Sequence, residues 1–326
     1  MADQVKYQVV EGWEQLPKGF AHRDVAGVAV DQEDRVYLMC RGENPVIIYD
    51  RDGNYKGTWG KGEFTLRTHG IYVASNGTIF ATDDGNHTVR QFTPEGKLLM
   101  TMGTLNTPSD TGYDGKTTAS IQRGGPPFNR PTNVAIGTKG QIYITDGYGN
   151  ARVHIFSPKG DLIRSWGEPG NGPGQFRLPH GIAVAADGRV FVCDREIDRI
   201  QIFSPDGEFL EQWSDTQRPT HVTFDAKGNV YVTELAWHEG DYSFSLGAPV
   251  TKMRHARFSI FDPKGKVLAR WGTPMCTAPG SFAAPHGLAL DSKNDIYVSE
   301  VTWTFAVSRG RAPEDCHTFQ KFALAT

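Results

Sequence analysis

The sequence has few cysteines, no long apolar run and no excess of charge of one sign, and each absence excludes a class of protein. Its four cysteines are widely spaced and form no CxxC pair, so neither a disulfide framework nor a thiolate zinc site is indicated. No apolar run approaches the roughly 20 residues that a membrane-spanning helix needs. The formal net charge of −3 does not favour a nucleic-acid partner.

The first residues, 1–12, have no basic flank, apolar stretch or small-residue cleavage site, so the sequence does not predict a secretory signal. We therefore expect a cytoplasmic protein with no membrane partner. The length of 326 residues would allow two domains of about 150 residues, but all-β rings often form one longer domain.

The sequence does contain a repeat. Six segments share one pattern of short apolar runs separated by turns, and the most regular copy extends from His180 to Trp213. Asn-Gly and Asp-Gly pairs, such as Asn76-Gly77 and Asp187-Gly188, supply the positive φ angles that tight hairpins require. Short strands in four-stranded units that repeat around a circle predict an all-β, six-bladed β-propeller.

We predict a single propeller domain over residues 1–326. Its blades are expected at roughly residues 22–60, 66–103, 128–167, 176–213, 217–272 and 282–326. The sixth copy stops before its outermost strand, and the segment 5–13 has strand character, so this N-terminal strand should complete the last blade and close the ring. An insertion at 236–257 could either cover one end of the central channel or form a solvated loop.

Histidines recur at one position of the repeat, just before the first strand of a blade. The six residues there are Ala26, His69, Thr132, His180, Thr220 and His286. Alternate blades of a six-bladed ring lie about 120° apart around the channel, so the three imidazoles should converge at one channel mouth. That arrangement predicts a His₃ metal site with an open position, for zinc or for iron, copper or nickel. His221 falls one place later and should point elsewhere.

Residues that follow the second strand of each blade should share the same mouth, because the first two strands are antiparallel. Among them, Arg41, Tyr148 and Arg195 have no evident role in forming a turn and are predicted to be catalytic. Three aspartates at this end are instead predicted to bind backbone amides of the turns. They are Asp83, Asp146 and Asp194.

On these residues the sequence resembles NHL-repeat propellers. More narrowly, it resembles the lyase domain of peptidylglycine α-amidating enzymes, peptidyl-α-hydroxyglycine α-amidating lyase. The resemblance covers all six repeats. The motifs that carry it are Cys40-Arg41-Gly42, His69-Gly70, Asp146-Gly147-Tyr148 with Asn150 and Arg152, Asp194-Arg195-Glu196 with Arg199-Ile200-Gln201, and Pro285-His286.

The resemblance implies a zinc-dependent lyase that cleaves an N-(α-hydroxyalkyl) amide to an amide and an aldehyde such as glyoxylate. Tyr148 would take the proton of the substrate hydroxyl, and an arginine would hold a substrate carboxylate. The implied zinc ligands are His69, His180 and His286, and the implied active-site arginines are Arg41 and Arg195. The family's structural calcium is doubtful here, because Gly287 stands where the family has an aspartate.

Two other function classes stay open. The first is a metal-dependent hydrolase in which the metal activates water, although such propellers favour carboxylate-rich, calcium-type sites. The second is a non-enzymatic NHL scaffold, which the histidine pattern and the near-neutral charge disfavour. We expect a small-molecule substrate, whose identity the sequence does not name, and the sequence does not indicate an oligomeric state.

Overall fold

Six four-stranded antiparallel sheets form the protein. The structure is a computed structural model that describes residues 6–274 and 276–325. The first strand of the chain is β1 (Tyr7–Val9), and it is followed by blade 1, with β2 (Val25–Val30), β3 (Val36–Cys40), β4 (Val46–Tyr49) and β5 (Tyr55–Trp59). Blade 2 contains β6 (Thr68–Val73), β7 (Ile79–Asp83), β8 (Thr88–Phe92) and β9 (Leu98–Met102).

The next two blades repeat this order. Blade 3 contains β10 (Pro131–Ile136), β11 (Ile142–Asp146), β12 (Arg152–Phe156) and β13 (Leu162–Trp166). Blade 4 contains β14 (Pro179–Val184), β15 (Val190–Asp194), β16 (Arg199–Phe203) and β17 (Phe209–Trp213). In both blades the second strand is entirely buried, whereas the fourth strand has exposed residues, because each sheet packs between two neighbours and its outer edge faces solvent.

In the fifth blade, the connection between the second and third strands of the sheet contains a small separate hairpin. Its strands are β18 (Pro219–Phe224), β19 (Val230–Glu234), β22 (Arg257–Phe261) and β23 (Val267–Trp271), and the hairpin consists of β20 (Tyr242–Ser243) and β21 (Ala248–Pro249). The hairpin lies inside the predicted insertion at 236–257.

Blade 6 closes the ring with strands from both ends of the chain. It contains β24 (Pro285–Leu290), β25 (Ile296–Glu300) and β26 (Phe319–Leu324), and β1 pairs with β26 as the fourth strand. The register places Tyr7 opposite Leu324 and Val9 opposite Phe322. The predicted all-β six-bladed propeller with a closing N-terminal strand is therefore confirmed.

We call the repeat position shared by Ala26, His69, Thr132, His180, Thr220 and His286 the column. Glycine follows each of the three column histidines because the first strands of neighbouring blades nearly touch. A Cβ at Gly70 would lie 2.8 Å from the carbonyl oxygen of Thr132, and a Cβ at Gly181 would lie 2.6 Å from that of Thr220. At Gly287 a Cβ would lie 2.9 Å from the Cα of Gly27. Only glycine allows such an approach of two backbones, so the glycine sets how closely each histidine approaches the next blade.

Short helical segments occur only in the connections of the described chain. They are 3₁₀-helices at Thr118–Ser120, Arg195–Ile197 and Val307–Arg309 and one α-helical turn, α1 (Thr302–Phe305). Across residues 6–274 and 276–325, no helix has the length and apolar character that crossing a membrane would require.

Cys276 and Cys316 form a disulfide, whereas Cys40 and Cys193 are buried free thiols. The prediction from cysteine spacing, that no disulfide is present, is therefore wrong for this pair. The two partners are separated by 40 residues and come together because the connection after β25 folds back towards the loop that precedes β24, a tertiary contact that cysteine spacing does not encode.

Candidate metal centre

Three buried imidazoles meet at the channel mouth, as the repeat pattern predicts. His69, His180 and His286 lie in the first strands of blades 2, 4 and 6 and are at most 4 % exposed. One potential ligand atom of each lies within 4.8 Å of the others, and the ring centroids are 4.6 to 4.7 Å apart. Three nitrogens at this spacing could hold one metal ion.

The intervening blades fix the orientation of these rings. Each Nδ1 donates a hydrogen bond of 2.6 to 2.7 Å to a backbone carbonyl of the next blade. The acceptors are the non-histidine members of the same column, Thr132, Thr220 and Ala26. A hydrogen bond of this kind is the usual second contact of a metal-binding histidine, since it selects the tautomer that leaves the Nε2 lone pair free.

The surroundings of the three imidazoles favour their neutral form. Burial lowers the pKa of each histidine well below its ordinary value, and the neighbouring imidazoles and arginines lower it further. A neutral ring with a free lone pair is the form that binds a metal ion. The chemistry of the donor set therefore fits a divalent transition metal.

The hydroxyl of Tyr148 lies directly beside two of these histidines. Its oxygen is 3.1 Å from Nε2 of His69 and 3.2 Å from Nε2 of His180. A guanidinium N–H of Arg195 also donates to it, at 3.1 Å. The structure thus brings the predicted tyrosine together with the histidines on the side where a substrate would enter.

The two predicted active-site arginines differ in the acceptors that their side-chain N–H groups contact. Arg195 is buried, and its remaining contact is a hydrogen bond of 2.8 Å from Nε to Glu196. Arg41 donates from Nε to the carbonyl of Thr68 at 3.2 Å and lies 3.5 Å from a carboxylate oxygen of Asp24. Both arginines line one cavity with Tyr148 and His286.

Glu196 belongs to one of the motifs that carry the resemblance, but the sequence alone assigns it no role in the site. Its carboxylate accepts hydrogen bonds from Arg195 at 2.8 Å and from Arg218 at 2.7 Å, and all three side chains are buried. Burial alone would raise the pKa of Glu196, but Arg218 and Arg195 outweigh it and lower the pKa to about 2. The glutamate holds Arg195 against Tyr148 by binding the opposite edge of its guanidinium.

We expect Glu196→Gln to lower the free energy of unfolding by about 3 kcal/mol at pH 7. Arg195 would remain buried without its carboxylate, and Arg218 would keep only a long contact of 3.8 Å to Asp241. Urea denaturation measures this. The lowered pKa means that the carboxylate stabilises the fold above about pH 4.3, and this contribution is lost as the pH falls towards 2. The difference between the two proteins should therefore shrink over that range.

The matched control for this measurement is Glu211→Gln. Glu211 is half-exposed and pairs with Arg189 at 3.4 Å on the surface, so its replacement should cost about 0.5 kcal/mol or less. Equal costs for the two substitutions would contradict the role assigned to Glu196.

Three aspartates at the ends of second strands bind backbone amides, as predicted. The shortest such hydrogen bonds are 2.7 Å for Asp83 from Thr65 N, 2.9 Å for Asp146 from Asn129 N and 3.0 Å for Asp194 from Arg177 N. These carboxylates therefore fix the loops that enter the first strands, and with them the positions of the column residues.

His221 points away from the histidine cluster, as the shift in its position predicts. Its Nδ1 lies 2.9 Å from the side-chain amide of Asn133, and burial lowers its pKa to about 4. It lines a separate cavity of about 590 Å³ among the apolar first strands.

The cavity above the histidines has a volume of about 740 Å³. Insertions from three connections contribute to its wall, including the aromatic residues Tyr113, Tyr242, Phe244 and Phe305. The segment 236–257 therefore covers part of the mouth, one of the two alternatives that its sequence allowed. The anchor of this segment is Trp237, which is buried and donates to Asp198 of blade 4 at 2.8 Å.

Fold and site together define a six-bladed propeller with a His₃ cluster at one channel mouth. Sequence comparison agrees on the propeller. The profile of a family described as a 6-bladed β-propeller matches residues 127–214. NHL repeat-containing protein 3 of Homo sapiens is 31 % identical over 212 residues, which cover 61 % of this chain and 57 % of that protein.

A second relative carries the name of an enzyme. A probable peptidyl-α-hydroxyglycine α-amidating lyase of Caenorhabditis elegans is 31 % identical over 160 residues, or 48 % of this chain and 42 % of that protein. The matched region thus spans about half the length of these curated relatives. The chain is a six-bladed β-propeller with sequence similarity to NHL repeat-containing proteins and to amidating lyases.

Solved structures agree on the fold. A streptogramin B lyase structure superposes with a TM-score of 0.59 over 98 % of this chain and 97 % of that one, at 13 % sequence identity. At this identity the likeness shows the fold alone.

Proposed function

We propose that this protein is a zinc-dependent lyase that cleaves the C–N bond of a small α-hydroxy amide, giving an amide and an aldehyde such as glyoxylate. One observation supports this most strongly. The hydroxyl of Tyr148 lies within 3.2 Å of the Nε2 atoms of His69 and His180 and accepts from Arg195. A proton acceptor therefore lies where a substrate hydroxyl near the cluster would release its proton.

His69, His180 and His286 would hold the metal through Nε2. Zinc would supply a Lewis acid that makes the substrate hydroxyl more acidic. In the proposed reaction Tyr148 acts as a phenolate, whose negative charge the N–H of Arg195 stabilises. The phenolate oxygen accepts the hydroxyl proton and becomes a neutral phenol. The hydroxyl oxygen becomes the aldehyde oxygen as the C–N bond breaks, and the departing amide nitrogen takes a proton back from Tyr148.

Arg41 is the better candidate for holding a substrate carboxylate. Both hydrogen-bonded nitrogens of Arg195 already serve Glu196 and Tyr148. Each arginine has one terminal nitrogen without a hydrogen-bond acceptor within residues 6–274 and 276–325. Arg41, however, uses Nε for a backbone carbonyl and has only a long contact of 3.5 Å to Asp24 from its other terminal nitrogen, so its terminal edge is the less engaged of the two. That edge is available for a carboxylate in the cavity.

The test is turnover of α-hydroxyhippurate. We expect equimolar benzamide and glyoxylate, faster than in a reaction without protein and abolished by a chelator. Benzoate in place of benzamide would instead support the metal-dependent hydrolase. Failure of the metal-loaded protein to turn over this compound or ureidoglycolate would contradict the lyase and favour a non-enzymatic scaffold.

The predicted cytoplasmic location stays a proposal. The disulfide between Cys276 and Cys316 is a feature typical of oxidising compartments, so cell fractionation is the appropriate test of location.

A further inference from the structure

The wall of the mouth cavity carries a concentration of positive charge. It contains one carboxylate, that of Glu196, and six cationic side chains, although the whole chain has a net charge of −3. The cationic residues are Arg41, Arg67, Lys116, Arg130, Arg195 and Arg309. A concave wall with this imbalance attracts anions and concentrates them locally.

Half of these cations are balanced by the protein itself. Arg41 lies near Asp24, Arg67 pairs with the buried carboxylate of Asp84, and Arg195 pairs with Glu196. The other half, Lys116, Arg130 and Arg309, form no ion pair with any carboxylate in the described part of the chain. Their charge is available to a ligand.

Arg130 is the most constrained of these unpaired cations. Its backbone is left-handed, with φ +67°, and it directly precedes Pro131, a combination that costs energy for a residue with a side chain. The backbone N–H of Arg130 donates to Nδ1 of His87 at 3.1 Å. Backbone strain of this kind is concentrated at functional sites.

The guanidinium of Arg130 faces the cavity without a protein acceptor. Its central carbon lies 5.6 Å from the ring centre of Tyr113, a residue of the 104–128 insertion. Within the described ranges its side-chain N–H groups donate no hydrogen bond to the protein. Lys116, which belongs to the same insertion as Tyr113, also lines the wall. The Arg130 guanidinium has the Tyr113 ring near one side and N–H donors without a protein acceptor, so it is positioned to bind an anion.

We propose that Arg130, with Lys116, binds a second carboxylate located on the acyl part of the substrate, so that the preferred substrate is a dianionic α-hydroxy amide. This inference rests on the proposed lyase function. The first carboxylate, next to the hydroxyl-bearing carbon, is assigned to Arg41 of blade 1. The second would extend towards blade 3, where the cation is unpaired and lines the same cavity as Tyr148 and His286.

The test compares two substrates of equal shape that differ in one charge. They are N-succinyl-α-hydroxyglycine and its terminal carboxamide, N-succinamoyl-α-hydroxyglycine. A charge-assisted hydrogen bond to a guanidinium is worth a factor of about ten or more, so we expect kcat/KM to be at least about tenfold higher for the carboxylate. Arg130→Ala should bring this ratio close to one.

Matched variants separate the charge of Arg130 from its effect on folding. Arg123→Ala removes an arginine of the 104–128 insertion that pairs with Asp110 and does not line the mouth cavity, so it should keep the ratio of the wild type. Arg130→Gly retains the left-handed backbone and should lose the ratio even if the alanine variant folds poorly. Arg130→Lys should retain part of it.

The outcomes are distinguishable. Turnover of both substrates at equal kcat/KM by the wild type would overturn the dianionic inference and leave the lyase function standing. A tenfold preference that survives in both Arg130→Ala and Arg130→Gly would overturn the assignment to Arg130. Absence of turnover of both succinyl compounds by a protein that cleaves α-hydroxyhippurate would overturn the inference alone. Absence of turnover of α-hydroxyhippurate as well would overturn the lyase function, and the inference with it.

Discussion

Replacement of His180 by alanine is expected to lower kcat for α-hydroxyhippurate by at least about 1,000-fold. The substitution removes one of three imidazoles whose ligand atoms lie within 4.8 Å of one another. In the wild type, Nδ1 of His180 donates to the carbonyl of Thr220 at 2.7 Å. The substitution removes this hydrogen bond but does not change Thr220 or its blade. Steady-state glyoxylate release measures the effect, with thermal unfolding as a check that the propeller is intact.

The control for this experiment is His221→Ala. His221 lies in the next blade, one place later in the repeat, and pairs with Asn133 outside the cluster. We expect the variant to keep kcat within about tenfold of the wild type, since a histidine that does not hold the metal should not contribute several kcal/mol to catalysis. A folded His180 variant that retains wild-type turnover would contradict the assignment of the site.

The second large effect is expected from Tyr148→Phe. We predict a decrease in kcat of about 10²- to 10⁴-fold, the usual contribution of a general acid–base group. Phenylalanine keeps the ring that stacks near Arg195 at 5.3 Å and removes only the oxygen that contacts His69, His180 and Arg195. The metal content should not change, so the variant separates proton transfer from metal binding.

Tyr143→Phe is the matched control for the tyrosine. The hydroxyl of Tyr143 donates to the carbonyl of Pro205 at 2.9 Å and does not line the mouth cavity. If Tyr148→Phe retains turnover with the pH profile of the wild type, Tyr148 is not the base, and a hydrolytic role for the metal becomes the better explanation.

Much of this architecture can be predicted from the sequence because the propeller repeats. Equivalent positions of a repeat become equivalent positions around an axis, so alternation of His69, His180 and His286 with small residues predicts their convergence. The same symmetry places Tyr148 and Arg195 at the mouth, since each follows the second strand of its blade. It also separates His221, which is shifted by one position.

The remaining features depend on contacts between parts that do not repeat. The carbonyls that accept the histidine Nδ1 hydrogen bonds belong to the backbone of the other column residues, such as Ala26. The side chain of such a residue therefore does not indicate this function in the sequence. Glu196 follows Arg195 in the chain, but its function depends on Arg218 of the next blade. The cover of the mouth and the disulfide formed by Cys316 depend on how the insertions and connections fold back, which no repeat position encodes.

The central claim is that the three imidazoles hold one catalytic metal ion. Elemental analysis by mass spectrometry of the wild type and of His180→Ala, purified side by side, tests it most directly. We predict close to one zinc ion per wild-type chain and little or none in the folded variant. Equal metal content in the two proteins, or a wild type that binds no metal after incubation with zinc, would contradict the account.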